Sequence, residues 1–445
     1  MKKLWSAFLA GCLLLSTVPA SAASVEEVRL IIEKEYVDAL SPAFYEATSI
    51  EGMIETLDPY SEYFTRQEYE QYVQAVDLET VGIGIYLTKH SKGVLITEVI
   101  QDGPAHVAGL VPGTVILQAN GTDLANQSID EAASLLQGTA GSFVTLTILT
   151  PDDQITTLTL KRQAFSSPHS DMALLHGNIG YIALYTFSDN ADSLMRQALT
   201  DLRKQGAKSF IVDLRGNGGG YVDTAERIIG MFPNAKTAYV LSNRFQQVTY
   251  PAIGTLNKFP QNTRLLIDEY SASASEMTAA ALKDQKAAIL YGSKTYGKGS
   301  MQQFYDFTDG SHLKLTIAKF TGPSNEPING IGVKPHIQSK HPLQDAHFDA
   351  LLETGQYDVQ PTVTKDAKSS TLHIMHKYMT VNMQDRYAFV KLGTNETIPF
   401  SAHKSGKSYA RLTLSEQLQA GQMYALITKP TATQKGKIQK IIIEK

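Results

Sequence analysis

The sequence predicts an α/β core accompanied by smaller β-rich modules, and three observations predict it. Between about Gly180 and Pro335, runs such as Phe210-Ile211-Val212-Asp213-Leu214 are nearly continuous in apolar residues and alternate with helical stretches such as Ala191 to Gln205 and Ser275 to Leu282. Strands of that kind belong to a sheet covered on both faces. Between about Asp77 and Arg162, short strands with alternating polarity, such as Val94 to Ile100 and Val144 to Ile148, are separated by Gly and Pro turns, which predicts a compact, mostly β module. In the last hundred residues alternation returns, as in Tyr387 to Leu392 and Tyr424 to Ile427, and predicts a small all-β domain.

Length and composition set the frame for these pieces. A chain of 445 residues exceeds one ordinary core and implies two to four domains. With 43% hydrophobic and 19% charged residues and a formal net charge of −4, it lacks the concentrated Lys and Arg that a nucleic-acid partner requires. The expected order is a signal peptide over 1–22, a helical segment over 23–76, the β module over 77–163, the α/β core over 164–343 and the β-rich domain over 344–445.

The first residues read as export information. Lys2 and Lys3 precede an apolar run from Leu4 to Val18, and Ala20-Ser21-Ala22 supplies the small residues of a cleavage site, so cleavage is expected after Ala22 or Ala23. The run is short for a bilayer span, which takes about 20 residues. Leu9-Ala10-Gly11-Cys12 also matches a lipoprotein box, and a lipid anchor at Cys12 is the alternative. The apolar run continues past Cys12, as in an ordinary cleaved signal. Removing the signal removes the only cysteine and leaves a mature chain without thiols or disulfides, which suits an extracytoplasmic protein.

In the mature chain, Val25 to Ile32 has helical spacing and Thr65 opens a second helix, with turn chemistry at Leu57-Asp58-Pro59-Tyr60-Ser61 between them. The plain reading of this segment is a packing and dimerisation layer. In the β module the one prominent helix, Ile129 to Leu136, runs from a Ser128 cap to a Gly138 stop.

Three segments of the core carry chemistry: Asp213-Leu214-Arg215-Gly216-Asn217-Gly218-Gly219-Gly220 after a buried strand, Ser271-Ala272-Ser273-Ala274-Ser275-Glu276 before a helix, and Tyr296-Gly297-Lys298-Gly299-Ser300-Met301-Gln302. Each has an ordinary reading. A serine before a helix is commonly an N-cap, a role open to Ser271 or Ser275, and a lone lysine is commonly solvated. Competing motifs fail. Gly292 to Lys298 mimics a phosphate loop, but Gly299 stands where Ser or Thr should hold magnesium. Ser401-Ala402-His403-Lys404 has a Ser-x-x-Lys spacing without its companion motifs. No His-Glu-x-x-His helix occurs and the 11 histidines are scattered, so no metal or cofactor is expected.

Taken together and in this order, with Gly330-Ile331-Gly332-Val333-Lys334-Pro335 as a closing motif, these segments resemble the C-terminal processing peptidases, or tail-specific proteases. The likeness extends over nearly the whole mature chain to about Ile337. It implies a ClpP/crotonase-like protease core with Ser273 as nucleophile, Lys298 as general base and Gln302 as its helper. It also implies an oxyanion hole from the backbone N–H groups of Gly219 and Ala274, with Gly218 as the neighbouring candidate donor; the family usually has proline at the position of Gly218. Asp284 corresponds to an acidic position in some relatives and is expected to support structure. A serine hydroxyl needs a base to take its proton, and lysine serves only when neutral, its reference pKa of about 10.4 brought down to roughly 7 to 8.

The stretch from Leu78 to Arg162 resembles a PDZ domain, with Gly82-Ile83-Gly84-Ile85 as carboxylate-binding loop and Gly103-Pro104-Ala105, Ala108-Gly109-Leu110 and Asn120-Gly121 as further landmarks. Such a module binds a substrate tail as an added strand. Ile83 and Ile85, with Ala132, Leu135 or Leu136, are candidates for the side-chain pocket, and an apolar pocket implies protein or peptide partners with apolar C-termini. The family implies a homodimer, with membrane contact only through export or the lipid anchor. The resulting expectation is an exported serine endopeptidase. Its alternatives are a catalytically silent PDZ scaffold and a binding protein of the cell envelope.

Overall fold

Three serines open the first helices. Ser24, Ser41 and Ser49 accept backbone N–H groups at the starts of α1 (Val25–Glu35), α2 (Pro42–Glu46) and α3 (Ile50–Ile54), satisfying donors that a first helical turn leaves open. α4 (Arg66–Val76) begins the same way: Thr65 Oγ1 accepts from Glu68 N–H while Glu68 Oε2 accepts from Thr65 N–H at 2.8 Å. The computed structural model describes residues 23–76, 79–166, 168–353, 355–366, 371–375, 386–404 and 409–444. The expected signal peptide and Cys12 lie outside them. Among the described residues no helix is long and apolar enough to cross a membrane.

The chain divides into two units. Among the described residues the first comprises 23–71 together with 302–317, so a segment distant in sequence joins the N-terminal helices. Its core sets Val28, Ile32, Phe44 and Met53 against Phe307, Leu313 and Leu315, and the strand Glu62–Phe64 pairs antiparallel with His312, Leu313 and Lys314.

The second unit holds the remaining modules. The β module is an antiparallel sheet in the order Ile85–His90, Gly93–Val99, Val115–Ala119, Phe143–Leu149, Ile155–Lys161, with α5 (Pro104–Val107) and α6 (Ile129–Leu136). A two-stranded ribbon, Glu79–Gly82 with Gln163–Ser166, joins its two ends. Arg162 is buried and donates to the carbonyls of Leu135, Leu136 and Phe143, which satisfies the end of α6.

The core sheet runs in the order Ser170–Leu175, Ile179–Leu184, Ser209–Asp213, Arg264–Ile267, Ile289–Gly292, Ile337–Gln338, parallel throughout except for the first strand. Alternate residues serve opposite faces. Val212, Leu265 and Leu290 join the apolar layer of α7 (Ala191–Lys204), α8 (Val222–Ile229) and α9 (Ala274–Asp284). Ile211, Leu266 and Tyr291 meet α10 (Pro342–Leu352) and the C-terminal strands. Covering both faces explains the unbroken apolar runs, and each such Leu or Ile fully buried stabilises the fold by about 1.5–3 kcal/mol.

The C-terminal region forms a four-stranded and a three-stranded sheet, but it is not all β. α10 extends into it because Ala346, His347, Ala350 and Leu351, spaced at i and i+4, are all buried. Fully buried His347 fastens this helix to other parts of the unit: its Nε2 bonds to His176 C=O and its Nδ1 accepts from Gly393 N–H, both at 2.8 Å.

Candidate active site

The strands Ser209–Asp213, Arg264–Ile267 and Ile289–Gly292 are adjacent and parallel, so the loops that follow them emerge on one edge of the sheet, where open α/β folds bind ligands. Those loops are the three segments singled out in the sequence. The second is tied to the first: Asn217 C=O accepts from Ala272 N–H at 3.0 Å and Ser275 Oγ at 2.9 Å, and Ser271 Oγ donates to Leu214 C=O at 2.8 Å. The third joins through Tyr296 N–H to Ser271 C=O at 3.1 Å.

Ser273 occupies the N-cap position of α9 with φ 55° and ψ −113°, a conformation that costs a non-glycine residue energy and is concentrated at functional sites. Its side chain makes no cap hydrogen bond. The ordinary expectation that Ser271 or Ser275 caps this helix is corrected: both are fully buried and spend their hydroxyls on the glycine loop. Ala274 N–H, in the first turn of α9, makes no hydrogen bond among the described residues.

The residue that joins the site is Glu276. It is fully buried, and its carboxylate accepts from Ser273 N–H at 3.0 Å, Thr295 Oγ1 at 2.6 Å, Gly297 N–H at 2.7 Å and Lys298 N–H at 2.7 Å. One carboxylate thus fixes the backbones of both Ser273 and Lys298. The lysine loop is braced from outside by the closing motif. Gly330 N–H donates to Gly297 C=O and Val333 N–H to Thr295 Oγ1. A Cβ at Gly299 would lie 2.4 Å from Asn329 N, and one at Gly332 the same distance from Thr295 O, so this close fit requires glycine.

Gly219 has φ +110°, and a Cβ there would come within 2.9 Å of Ser273 Cβ and 3.0 Å of Ala274 N, so the glycine loop lies directly against the serine. Gly219 N–H donates to Asn217 Oδ1 at 2.9 Å, and Asn217 Nδ2 to Leu184 C=O at 2.8 Å. Asp213, at the end of its strand, holds Arg215 in a fork and accepts from Tyr181 O–H at 2.8 Å. Burial and this carboxylate push the Tyr181 phenol far up. Gln302 lies in the first unit, where its Nε2 donates to Thr316 Oγ1 at 3.1 Å and Thr316 Oγ1 to Asp58 Oδ1 at 2.9 Å. Asp284 accepts from Ser324 N–H at 2.9 Å and from Ser324 Oγ at 2.7 Å.

In the β module a cleft of about 70 Å³ is lined by Gly82, Ile83, Gly84, Ile85, Leu87, Ala133, Leu136 and Gln137. Of the expected pocket residues, Ala132 belongs to the module's core, and its neighbour Ala133 lines the cleft because one step along α6 turns a side chain by about 100°. Leu135 packs against that core and does not line the cleft. The carbonyls of Ile83 and Gly84 accept from Ala105 and Ile100 N–H, and Gly84 has φ +75°.

Glu276, Thr295 and Asn217 were not expected as site residues. Ser273-x-x-Glu276 is legible as a capping box, but the bonds from Glu276 to residues 295–298 join positions about twenty residues apart and leave no local signature.

Residues 178–339 match the model of peptidase family S41 and residues 95–150 match a PDZ domain; the fold is that of an S41 protease with a PDZ domain. Two relatives described as probable CtpA-like serine proteases, from Staphylococcus epidermidis (strain ATCC 35984) and Staphylococcus aureus (strain N315), are each 31% identical, over 329 and 327 residues. The aligned parts cover 73% and 72% of this chain and 66% and 65% of theirs, so the chain spans just under two thirds of the length of those relatives. The solved photosystem II D1 C-terminal processing protease is 25% identical, with 74% of this chain and 95% of that one covered and a TM-score of 0.46. The chain thus carries a peptidase family S41 region joined to a PDZ domain and is similar to probable CtpA-like serine proteases.

Proposed function

We propose that the chain is an exported serine endopeptidase that captures substrate C-terminal tails on its PDZ domain and cleaves peptide bonds by a Ser273–Lys298 dyad. The observation that carries this reading is the Glu276 carboxylate, which grips the backbone N–H groups of Ser273 and Lys298 together. In this mechanism the neutral Lys298 amine takes the Ser273 hydroxyl proton as Oγ attacks the scissile carbonyl. The same proton then passes to the leaving amine, and water, deprotonated in turn by Lys298, hydrolyses the acyl-enzyme.

Ala274 N–H is one donor to the oxyanion. Gly219 N–H can be the second only if Asn217 Oδ1 releases it; Gly218 N–H is the alternative. One such donor is worth about 3–4 kcal/mol. Gln302 is the helper residue that the family resemblance implies. In the PDZ cleft the N–H groups of Ile83 and Gly84 receive the terminal carboxylate, and the small pocket favours compact apolar last residues. The family resemblance implies a homodimer, and the mechanism calls for no cofactor.

The test compares wild type, Ser273→Ala and Lys298→Ala on an unfolded substrate with an apolar C-terminus. Cleavage by the wild type alone is expected. Equal cleavage by all three removes the dyad, and no cleavage by any favours a silent scaffold or an envelope binding protein. Deleting residues 78–162 and measuring turnover of a short peptide separates gating from capture, since unchanged turnover leaves capture alone.

A further inference from the structure

Ala23 N–H donates to Asp309 Oδ2 at 3.2 Å, one residue ahead of Ser24, the cap of α1. Asp309 lies in the turn between the strands Ser300–Asp306 and His312–Thr321. Its other oxygen accepts from Ser311 N–H at 2.9 Å and Ser311 Oγ at 2.6 Å. The carboxylate is therefore oriented by its own turn, with one oxygen turned to Ala23. Both residues belong to the first unit.

On sequence grounds the signal is removed after either Ala22 or Ala23. We propose that hydrolysis falls between Ala22 and Ala23, and that the α-ammonium it creates docks on the Asp309 carboxylate as an ion pair. The inference rests on the export reading and not on the dyad. In the step, water supplies the oxygen of the new Ala22 carboxylate under an exporting cell's signal peptidase. The Ala23 nitrogen leaves as a free amine, protonated at neutral pH. An amide N–H already within hydrogen-bond reach of a carboxylate becomes a full positive charge, and such charge-assisted bonds are roughly twice as strong as neutral ones.

The surroundings favour this charge at Ala23. An ammonium beside the start of α1 faces the positive end of the helix dipole. Glu26 and Glu27 in the first turn of α1 offset that repulsion together with Asp309. Acidic groups gather near this turn, where Tyr63 O–H donates to Ser311 Oγ at 2.6 Å. Asp309, Glu51 and Glu27 all act on the Tyr63 phenol, whose pKa is raised first by burial and then by these charges. Arg66 supplies a cation at the turn, its guanidinium packing against Gly310. Cleavage one residue later would place the ammonium on Ser24 and leave Asp309 Oδ2 without this donor. The docked terminus holds the turn of the hairpin segment 302–317, which begins at Gln302.

The test uses the full chain exported with its own signal. N-terminal sequencing is expected to read Ala-Ser-Val-Glu-Glu. The pH dependence of α-amine acylation is expected to give a pKa above the ~7.7–8.0 of a free α-amine in the wild type, and a return to that range in Asp309→Asn. Adding one glycine before Ala23 displaces the ammonium and should restore ordinary titration even if Asp309→Asn does not fold. A terminus at Ser24, or retention of Cys12, overturns the cleavage half. A terminus at Ala23 whose amine titrates alike in the wild type and either variant overturns the docking half. None of these measurements reads peptidase activity, so failure of the dyad mechanism is scored separately.

Discussion

The helices α6 and α9 begin with the same four-residue signature, Ser-x-x-Glu, and use it differently. At α6, Ser128 N–H donates to Glu131 Oε2 at 2.7 Å and Glu131 N–H to Ser128 Oγ at 3.2 Å, with Ser128 in an ordinary extended conformation at φ −66°. Both side chains stand in solvent, and the bond holds the Glu131 carboxyl below its usual range. At α9 the serine has turned to φ 55°, its hydroxyl makes no cap bond, and the glutamate is fully buried with three further partners from residues 295–298. A local cap costs a helix nothing elsewhere. Turning the serine away from it is stabilised only because distant backbone donors converge on the glutamate.

Replacing Glu276 with Ala should separate the two helices most sharply. It strands three backbone N–H groups and a hydroxyl, costing about 3 kcal/mol or more, and should lower kcat by at least ~100-fold, since a misplacement of about 1 Å is enough for that. Denaturant unfolding and peptide turnover measure both. Glu131→Ala should leave short-peptide turnover unchanged, and equal effects of the two substitutions would end the comparison.

Gly219→Ala attacks the α9 site from the glycine loop. A Cβ 2.9 Å from Ser273 Cβ on a backbone at φ +110° imposes strain on the order of 1–3 kcal/mol. Turnover should fall about ten- to a hundredfold with a smaller change in KM.

His347 extends the contrast to a buried side chain held by distant backbone groups outside the three loops of the candidate site. Burial lowers its pKa from 6.5 to about 4. The unfolded chain therefore binds a proton that the folded chain refuses between those values, so this contribution to stability is complete above pH 6.5 and is lost as pH falls toward 4. Denaturation midpoints of His347→Gln should be lower at pH 7 and depend less on pH across that window. Identical slopes in the two proteins would assign the acid sensitivity elsewhere. The smallest effect is expected from Ser128→Ala: a slightly lower thermal midpoint and full activity on a short peptide.

How far these features were legible follows from their range along the chain. The helix Ile129–Leu136 and its Ser128 cap, the strand ending at Asp213 and the helix after Ser273 are written in runs of neighbouring residues. The carboxylate hub at Glu276, the Asn217 bond to Gly219 N–H and the joining of 302–317 to the N-terminal helices depend on which loops meet. α10 was hidden by its buried histidine, since a polar residue interrupts the apolar stripe that its buried face would otherwise show. Among the helix candidates Ala132, Leu135 and Leu136, sequence alone does not separate cleft from core, because neighbouring apolar positions on a short helix look equivalent until its rotation is known.

Bracing of the Lys298 loop by residues 329–333 also bears on timing. A chain delivered from its N-terminus presents Ser273 and Lys298 well before Gly330 and Val333 arrive to support them. Until then Thr295 and Gly297 lack the partners that hold their loop against Glu276. The bonds that brace the Lys298 loop are therefore complete only once about three quarters of the polypeptide is present.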